Sequence, residues 1–309
     1  MSRDGSHLSP LTAPPPRPLT PVNELPGRPL GAHPRRWLRR LADLAPRALP
    51  PLLLALACLG LWEGYVRLAA VPATILPTPS RILTAGLGSL GLLTWHAAQT
   101  LAETLAGFGL AVLVAVVCAA AIDFFPLVRR ALLPLLVTSQ TIPIVALAPL
   151  LVLWFGYGAL PKVLVVALVC FFPMVVATSR GLSATDPELL KLYRTFGASR
   201  RQVFRMVRLP TALPAFFSGV RIAITYSVVG ALFGEYVGAA QGLGIYLQTA
   251  KNSYRTDLVF AVVAVTALMS LALFGLAVVV ERLVIPWASD ARDEARQWHA
   301  APSTFAREV

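Results

Sequence analysis

Apolar residues in this chain do not alternate with polar ones; they run together. Residues 105–122, 131–161, 163–179 and 258–280 contain no Asp, Glu, Lys or Arg. A helix needs about 20 apolar residues to cross the ~30 Å hydrocarbon core of a bilayer, so these runs read as membrane spans. Two further runs, 50–70 and 213–236, are apolar with isolated charges. The first holds Glu63 and Arg67, one helical turn apart and placed to pair. The second holds Arg221 and, near its end, Glu235. The pattern predicts an all-α polytopic membrane protein with six transmembrane helices.

Composition agrees. The chain is 56% hydrophobic and 14% charged, with a mean hydropathy of +0.68, whereas an ordinary soluble domain is roughly 25% charged. The net charge of +12 raises the question of nucleic acid, and the placement of the charges answers it. With the amino terminus in the cytoplasm, 21 Lys and Arg fall on cytoplasmic flanks. The opposite side receives only Arg81, Lys162, Lys251 and Arg255. This is the positive-inside bias, which puts both termini in the cytoplasm and removes the support for a nucleic-acid partner.

The polar segments set the organisation. Residues 1–47, with Pro14-Pro15-Pro16 at their centre, read as a disordered Pro/Arg-rich cytoplasmic extension. Within them, Pro34-Arg35-Arg36-Trp37-Leu38-Arg39-Arg40 has the look of a twin-arginine signal. The apolar segment that follows carries Glu63 and Arg67, and no convincing cleavage site comes after it, so the motif reads as a basic anchor for the first span instead. Residues 48–93 hold that span and an external loop, 94–285 the main membrane domain, and 286–309 a cytoplasmic tail. The glycines of 238–257 suggest short surface turns and no span. Cys58, Cys118 and Cys170 sit in three different spans and the four histidines are scattered, so neither a disulfide framework nor a metal site is expected. Trp62, Trp154 and Trp287 fall near span ends, as interfacial tryptophans do.

One cytoplasmic segment is more than a connector. Residues 186–214 read DPELLKLYRTFGASRRQVFRMVRLPTALP. Asp186 before Pro187 starts a helix, with Leu189, Tyr193 and Phe196 on one stripe. Gly197 suits the left-handed residue that ends it. Ser199-Arg200-Arg201-Gln202 has capping-box spacing for a second helix, in which Phe204 and Val207 share one stripe and Arg201, Arg205 and Arg208 another. Pro210 and Pro214 then mark a turn into the next span. A merely solvated basic loop needs neither tandem caps nor an aromatic stripe, so the pair reads as a docking element.

These residues resemble the cytoplasmic signature loop of permease subunits from bacterial ATP-binding-cassette (ABC) importers. The family's Gly-Ala-Ser, basic-apolar helix and Leu-Pro-x-Ala-Leu-Pro read here as Gly197-Ala198-Ser199, residues 200–208 and residues 209–214. Its Glu-Ala-Ala is replaced by Lys191-Leu192-Tyr193. TLAETLAGFGL, SQTIPIVALAPLLVLWFGYGALPK and GVRIAITYSVVGALFGEYVGAAQGLG resemble the nitrate/sulfonate/taurine branch, and the likeness covers roughly residues 52–287. VCFFPMVVAT and YRTFGAS resemble permeases for hydroxymethylpyrimidine-type thiamine precursors.

The resemblance implies a type I ABC importer permease fold, with residues 94–285 as the transmembrane domain and coupling helices at 186–209. It implies an inner-membrane subunit, paired with a second permease copy and surrounded by lipid, that works with a separate ATPase and an external substrate-binding protein. ATP and magnesium would belong to the ATPase, because this chain has no G-x-x-x-x-G-K-[ST] motif and is expected to bind no cofactor and to be no enzyme. Coupling is expected at Tyr193, Arg194, Gly197, Ala198, Ser199, Arg201 and Gln202.

For the pathway the candidates are Ser139, Gln140, Thr141, Arg221 and Glu235, each with a second reading. The Ser139–Thr141 cluster either faces a cavity or hydrogen-bonds between helices. Arg221 either snorkels or pairs within the bundle, or it meets solute. Glu235 either pairs structurally or meets the binding protein. Glu103 is expected to have an external structural partner. The solute stays open between a pyrimidine precursor, a sulfonate, taurine or nitrate-type anion, and a riboflavin-type compound. Outside this class, a six-span secondary transporter predicts midspan carboxylates, which are nearly absent, and an intramembrane enzyme lacks its catalytic set.

Overall fold

The structure is a computed structural model that describes residues 36–287, with side chains from Leu49 onward. It divides into two units, Met1–Cys58 and Leu59–Val309. Among the described residues all regular structure is helical. In the first unit the described part is helix, the beginning of α1 (Arg36–Leu68), and its Leu49, Leu52, Leu53, Leu54 and Leu56 are exposed. Helix already at Arg36 corrects the reading of 1–47 as wholly irregular. Trp37, Leu41 and Leu44 recur at helical spacing, a signal that the prolines had outweighed. The remainder of that extension and the tail from residue 288 lie outside the described residues.

In the second unit, α1 ends beside α2 (Pro79–Gly88). Arg67 Nη2 pairs with Glu63 Oε1 at 2.5 Å, and Glu63 also accepts from the Ser80 backbone N–H at 3.0 Å and its hydroxyl at 2.8 Å. The order continues with α3 (Leu90–Phe124), α4 (Pro126–Ser139), α5 (Ile144–Phe155) and α6 (Ala159–Ser183). After them come α7 (Pro187–Thr195), α8 (Arg200–Val203), a π-helical segment (Phe204–Arg208), α9 (Leu209–Gly238), α10 (Leu243–Asn252) and α11 (Thr256–Val284). Among the described residues five helices are long and apolar enough to cross a membrane, and a sixth crossing exists if the bent pair α4–α5 counts as one. The short α10 occupies the stretch that was expected to hold only turns.

Two expectations change. Residues 131–161 are not one straight span: α4 and α5 meet at 103°. Pro143 has no N–H to continue the ladder and disfavours helical geometry in the residue before it. The Thr138, Ser139 and Thr141 hydroxyls donate back to the carbonyls of Pro134, Leu136 and Thr138, which competes with the helix at the break. Nor is there a turn at Pro210. Helix runs unbroken from Arg200 to Gly238 over 39 residues. In the π segment the Leu209 N–H reaches back to Phe204 O, so the ladder is already offset where Pro210 removes a donor. Pro214 is carried inside α9.

The core is the mutual packing of α3, α6 and α9. Ala111 and Ala115 meet Val166, Cys170, Met174, Ala223, Val228 and Ala231, all buried. Small residues let the axes approach. A Cβ on Gly219 would stand 2.8 Å from Ala177 Cβ, and one on Gly181 2.7 Å from Ala215 Cβ.

The packing makes its own test. A Cβ on Gly107 would lie 2.5 Å from Val166 Cβ, whereas one on Gly109, two residues on, meets nothing within 4 Å. Gly107→Leu lowers stability by about 2 kcal/mol through overpacking, and Gly109→Leu stays within about 0.5 kcal/mol. Thermal unfolding of the two variants in detergent measures the difference; equal effects would mean that α3 and α6 do not touch as described.

Candidate functional site

Three groups of residues carry the candidate chemistry. The first is the helix pair. Asp186 caps α7 by accepting from the Glu188 N–H at 2.8 Å. Gly197 follows at φ +74°, a left-handed conformation that a β-carbon would penalise by about 1 kcal/mol or more. The Gly197 and Ala198 N–H groups close the helix end on Arg194 O and Tyr193 O. The capping box is complete: the Ser199 N–H donates to Gln202 Oε1 at 2.8 Å, and the Gln202 N–H to Ser199 Oγ at 3.3 Å.

What the pair buries is limited. Val203 and Val207 are buried, Phe204 packs near Ala119, Leu182 and Ala212, and the Phe124 and Phe204 rings lie 5.0 Å apart. The stripe begun by Leu189 and Tyr193 ends in open space, with Phe196 78% exposed and Met206 66% exposed. Arg208 leaves the basic stripe, because its guanidinium is paired with Asp123 at the end of α3. Arg194, Ala198 and Arg200 line a recess of about 230 Å³ against Asp123, Phe124 and Leu190. Tyr193 is half-buried, while Arg201 and Gln202 are exposed. The seven predicted coupling residues are therefore brought together at one end of the bundle.

The second group is the α4–α5 break. Ser139 and Gln140 line a cavity of about 340 Å³ with Phe172, Ile222 and Tyr226. Thr141 sits at the break without lining the cavity.

The third group is a set of internal ion pairs and hydrogen bonds. Arg221 donates to Glu281 of α11 at 3.1 Å, which matches its bundle-pairing reading. Glu235 is 0% exposed. It accepts from the Thr100 hydroxyl at 2.7 Å and the Gly244 N–H at 2.6 Å, while Thr100 accepts from the Leu243 N–H at 2.8 Å. The Gly242 N–H reaches His96 Nδ1 at 3.1 Å. A carboxylate on α9 and two side chains on α3 thus hold the first N–H groups of α10, which no residue of α10 can satisfy. Glu235 is structurally paired here. Next to this knot, Lys162 Nζ meets Glu103 Oε1 at 3.0 Å with Lys162 only 6% exposed, although its sequence position suggested an external flank. Sequence reasoning passed over Thr100 and His96; the spacing of His96, Thr100 and Glu103, which repeats on one helical face, was the available signal.

Residues 107–286 match the family described as the binding-protein-dependent transport system inner membrane component. The chain belongs to that family. Among this permease's relatives is the formylaminopyrimidine transport permease protein ThiX of Halalkalibacterium halodurans, 36% identical over 78% of this chain and 96% of the relative. Another is the riboflavin transport system permease protein RibX of Chloroflexus aurantiacus, 40% identical over 73% of this chain and 85% of the relative. A solved structure titled as inward-facing conformations of the MetNI methionine ABC transporter superposes with a TM-score of 0.55. That likeness covers 64% of this chain and 98% of that chain at 20% identity, and it shows the fold. The architecture is that of a type I ABC importer permease, and the permease is a multi-pass membrane subunit of such an importer.

Removing the Glu235 side chain leaves the Gly244 N–H without its acceptor and the Thr100 hydroxyl with only His96 O, at 3.2 Å, to donate to. Glu235→Ala is expected to cost about 3 kcal/mol, and Glu235→Gln, which keeps an acceptor oxygen, clearly less. Hydrogen exchange at the Leu243 and Gly244 amides reads the loss. Unchanged protection in Glu235→Ala would refute the knot.

Proposed function

We propose that this permease forms the membrane pathway of an importer driven by a separate ATPase, which docks on the helix pair around Gly197. The carrying observation is that α8 is continuous with the span α9, while the exposed Phe196 and Met206 stand among Arg194, Arg201 and Arg205 at its tip. Apolar side chains inside a basic surface mark a protein contact more than a solvated face. On this reading Tyr193, Arg194, Gly197, Ala198, Ser199, Arg201 and Gln202 meet the ATPase. Closure of the ATPase then moves α9 as a unit.

ATP and magnesium stay on the ATPase. A second copy of the permease completes the pathway, and an external binding protein delivers the solute. The distribution of Lys and Arg supports a cytoplasmic helix pair and cytoplasmic termini. For the solute, the likeness to a formylaminopyrimidine permease and to a riboflavin permease supports a small organic heterocycle, a pyrimidine of the thiamine-precursor type first. The intramembrane carboxylate Glu235 is locked in hydrogen bonds, which disfavours a secondary transporter that would need a carboxylate free for ion coupling.

Affinity purification of the tagged chain from its native membranes tests the reading. An ATPase is expected to copurify with the wild type and to be lost with Gly197→Val. A β-carbon there meets no neighbour within 4 Å, so the variant strains the turn without crowding the bundle. A folded wild-type chain that retains no ATPase would overturn the proposal.

A further inference from the structure

The cavity at the α4–α5 break has a chemistry of its own. About 340 Å³ in volume, it lies between the break and the helices α6 and α9, and no Asp, Glu, Lys or Arg lines it. That volume falls within the range of small-molecule sites. The nearest cation along α9 is Arg221, directly before Ile222. Consecutive helical residues point about 100° apart, and the Arg221 guanidinium is held by Glu281 at 3.1 Å.

Two kinds of group face the cavity. Phe172 and Tyr226 bring aromatic rings, with Leu168 and Ile222 completing an apolar wall. The Ser139 hydroxyl donates to Leu136 O at 2.9 Å and so has only acceptor capacity left. The Gln140 amide and the Tyr226 hydroxyl have no partner among the described residues. An amide offers a donor and an acceptor side by side, the pattern that a ring nitrogen with its adjacent amino or carbonyl group matches. An aromatic wall stacks a flat ring. The recess is open, with Ile222 and Tyr226 about half exposed, so a sulfonate or nitrate would keep water on one side but would meet no cation on the other.

We infer that this cavity is a solute-contact site that takes an uncharged, planar heteroaromatic molecule, with Gln140 and Tyr226 binding its polar edge and Phe172 its face. The assignment rests on the importer reading and names the class of solute that the pathway admits.

The complex of permease, ATPase and binding protein, reconstituted in liposomes, is assayed for ATP-dependent uptake of three probes: formylaminopyrimidine, riboflavin and taurine. Gln140→Leu and Tyr226→Phe keep side-chain volume and remove one polar group each. Uptake of a heterocyclic probe is expected to fall by about tenfold in Gln140→Leu and by less in Tyr226→Phe, with the ATPase still copurifying. If the ATPase copurifies and taurine alone or no probe is carried, or if both variants carry the heterocycle at the wild-type rate, the cavity assignment is overturned. If no ATPase copurifies with the wild type, the importer reading itself has failed.

Discussion

Helices in a bilayer gain nothing from expelling water between them, so they hold together only by approaching closely and by satisfying each other's polar groups. The rest of this permease follows from that constraint. Gly107, Gly181 and Gly219 let α3, α6 and α9 approach to distances that a β-carbon would forbid. At one end of this frame, Lys162 of α6 meets Glu103 of α3. At the other, Arg208 before α9 meets Asp123 of α3. Arg221 hooks α11 to the same frame through Glu281. Lys162 and Glu103 are both buried, so breaking that pair would strand a charge away from water.

A frame pinned at both ends changes what α9 can do. From Arg200 to Gly238 the chain is one helix of 39 residues, roughly 58 Å long at 1.5 Å per residue. Its tip is the capped turn at Ser199, its middle gives Ile222 and Tyr226 to the cavity, and its far end carries Glu235 in the knot that holds α10. A tilt imposed at Gly197 reaches the cavity wall and the far knot together only if the π segment and Pro214, which lie between them, do not bend. The bent pair α4–α5 is the other wall of the cavity and has no such continuity.

Much of this was legible in the sequence where the cause is local. Asp186, Gly197 and the Ser199–Gln202 box act within four residues of themselves, and the structure has each as its spacing implied. The spans followed from length and composition. What escaped depends on partners far along the chain. Lys162 reads as a flanking charge until α3 brings Glu103 beside it, 59 positions away. Pro210 and Pro214 read as a turn because proline ends helices in isolation, yet the π segment and the packing of α9 absorb them. The polar triplet at residues 139–141 was visible, but not that it bends the chain, because periodicity says nothing about direction.

The proposed coupling requires the continuous helix from Arg200 to Gly238 to move as one rod, and one distance tests that. Spin labels replacing Arg200 and Tyr236, both exposed and on either side of the π segment and Pro214, would be placed on a permease diluted with unlabelled chain. Double electron–electron resonance on the assembled transporter then gives their separation with and without nucleotide. A rigid rod holds one narrow distribution near ~54 Å in both states. A shift or broadening of more than about 5 Å, one helical turn, would place a joint at the π segment or at Pro214 and contradict coupling through a rod.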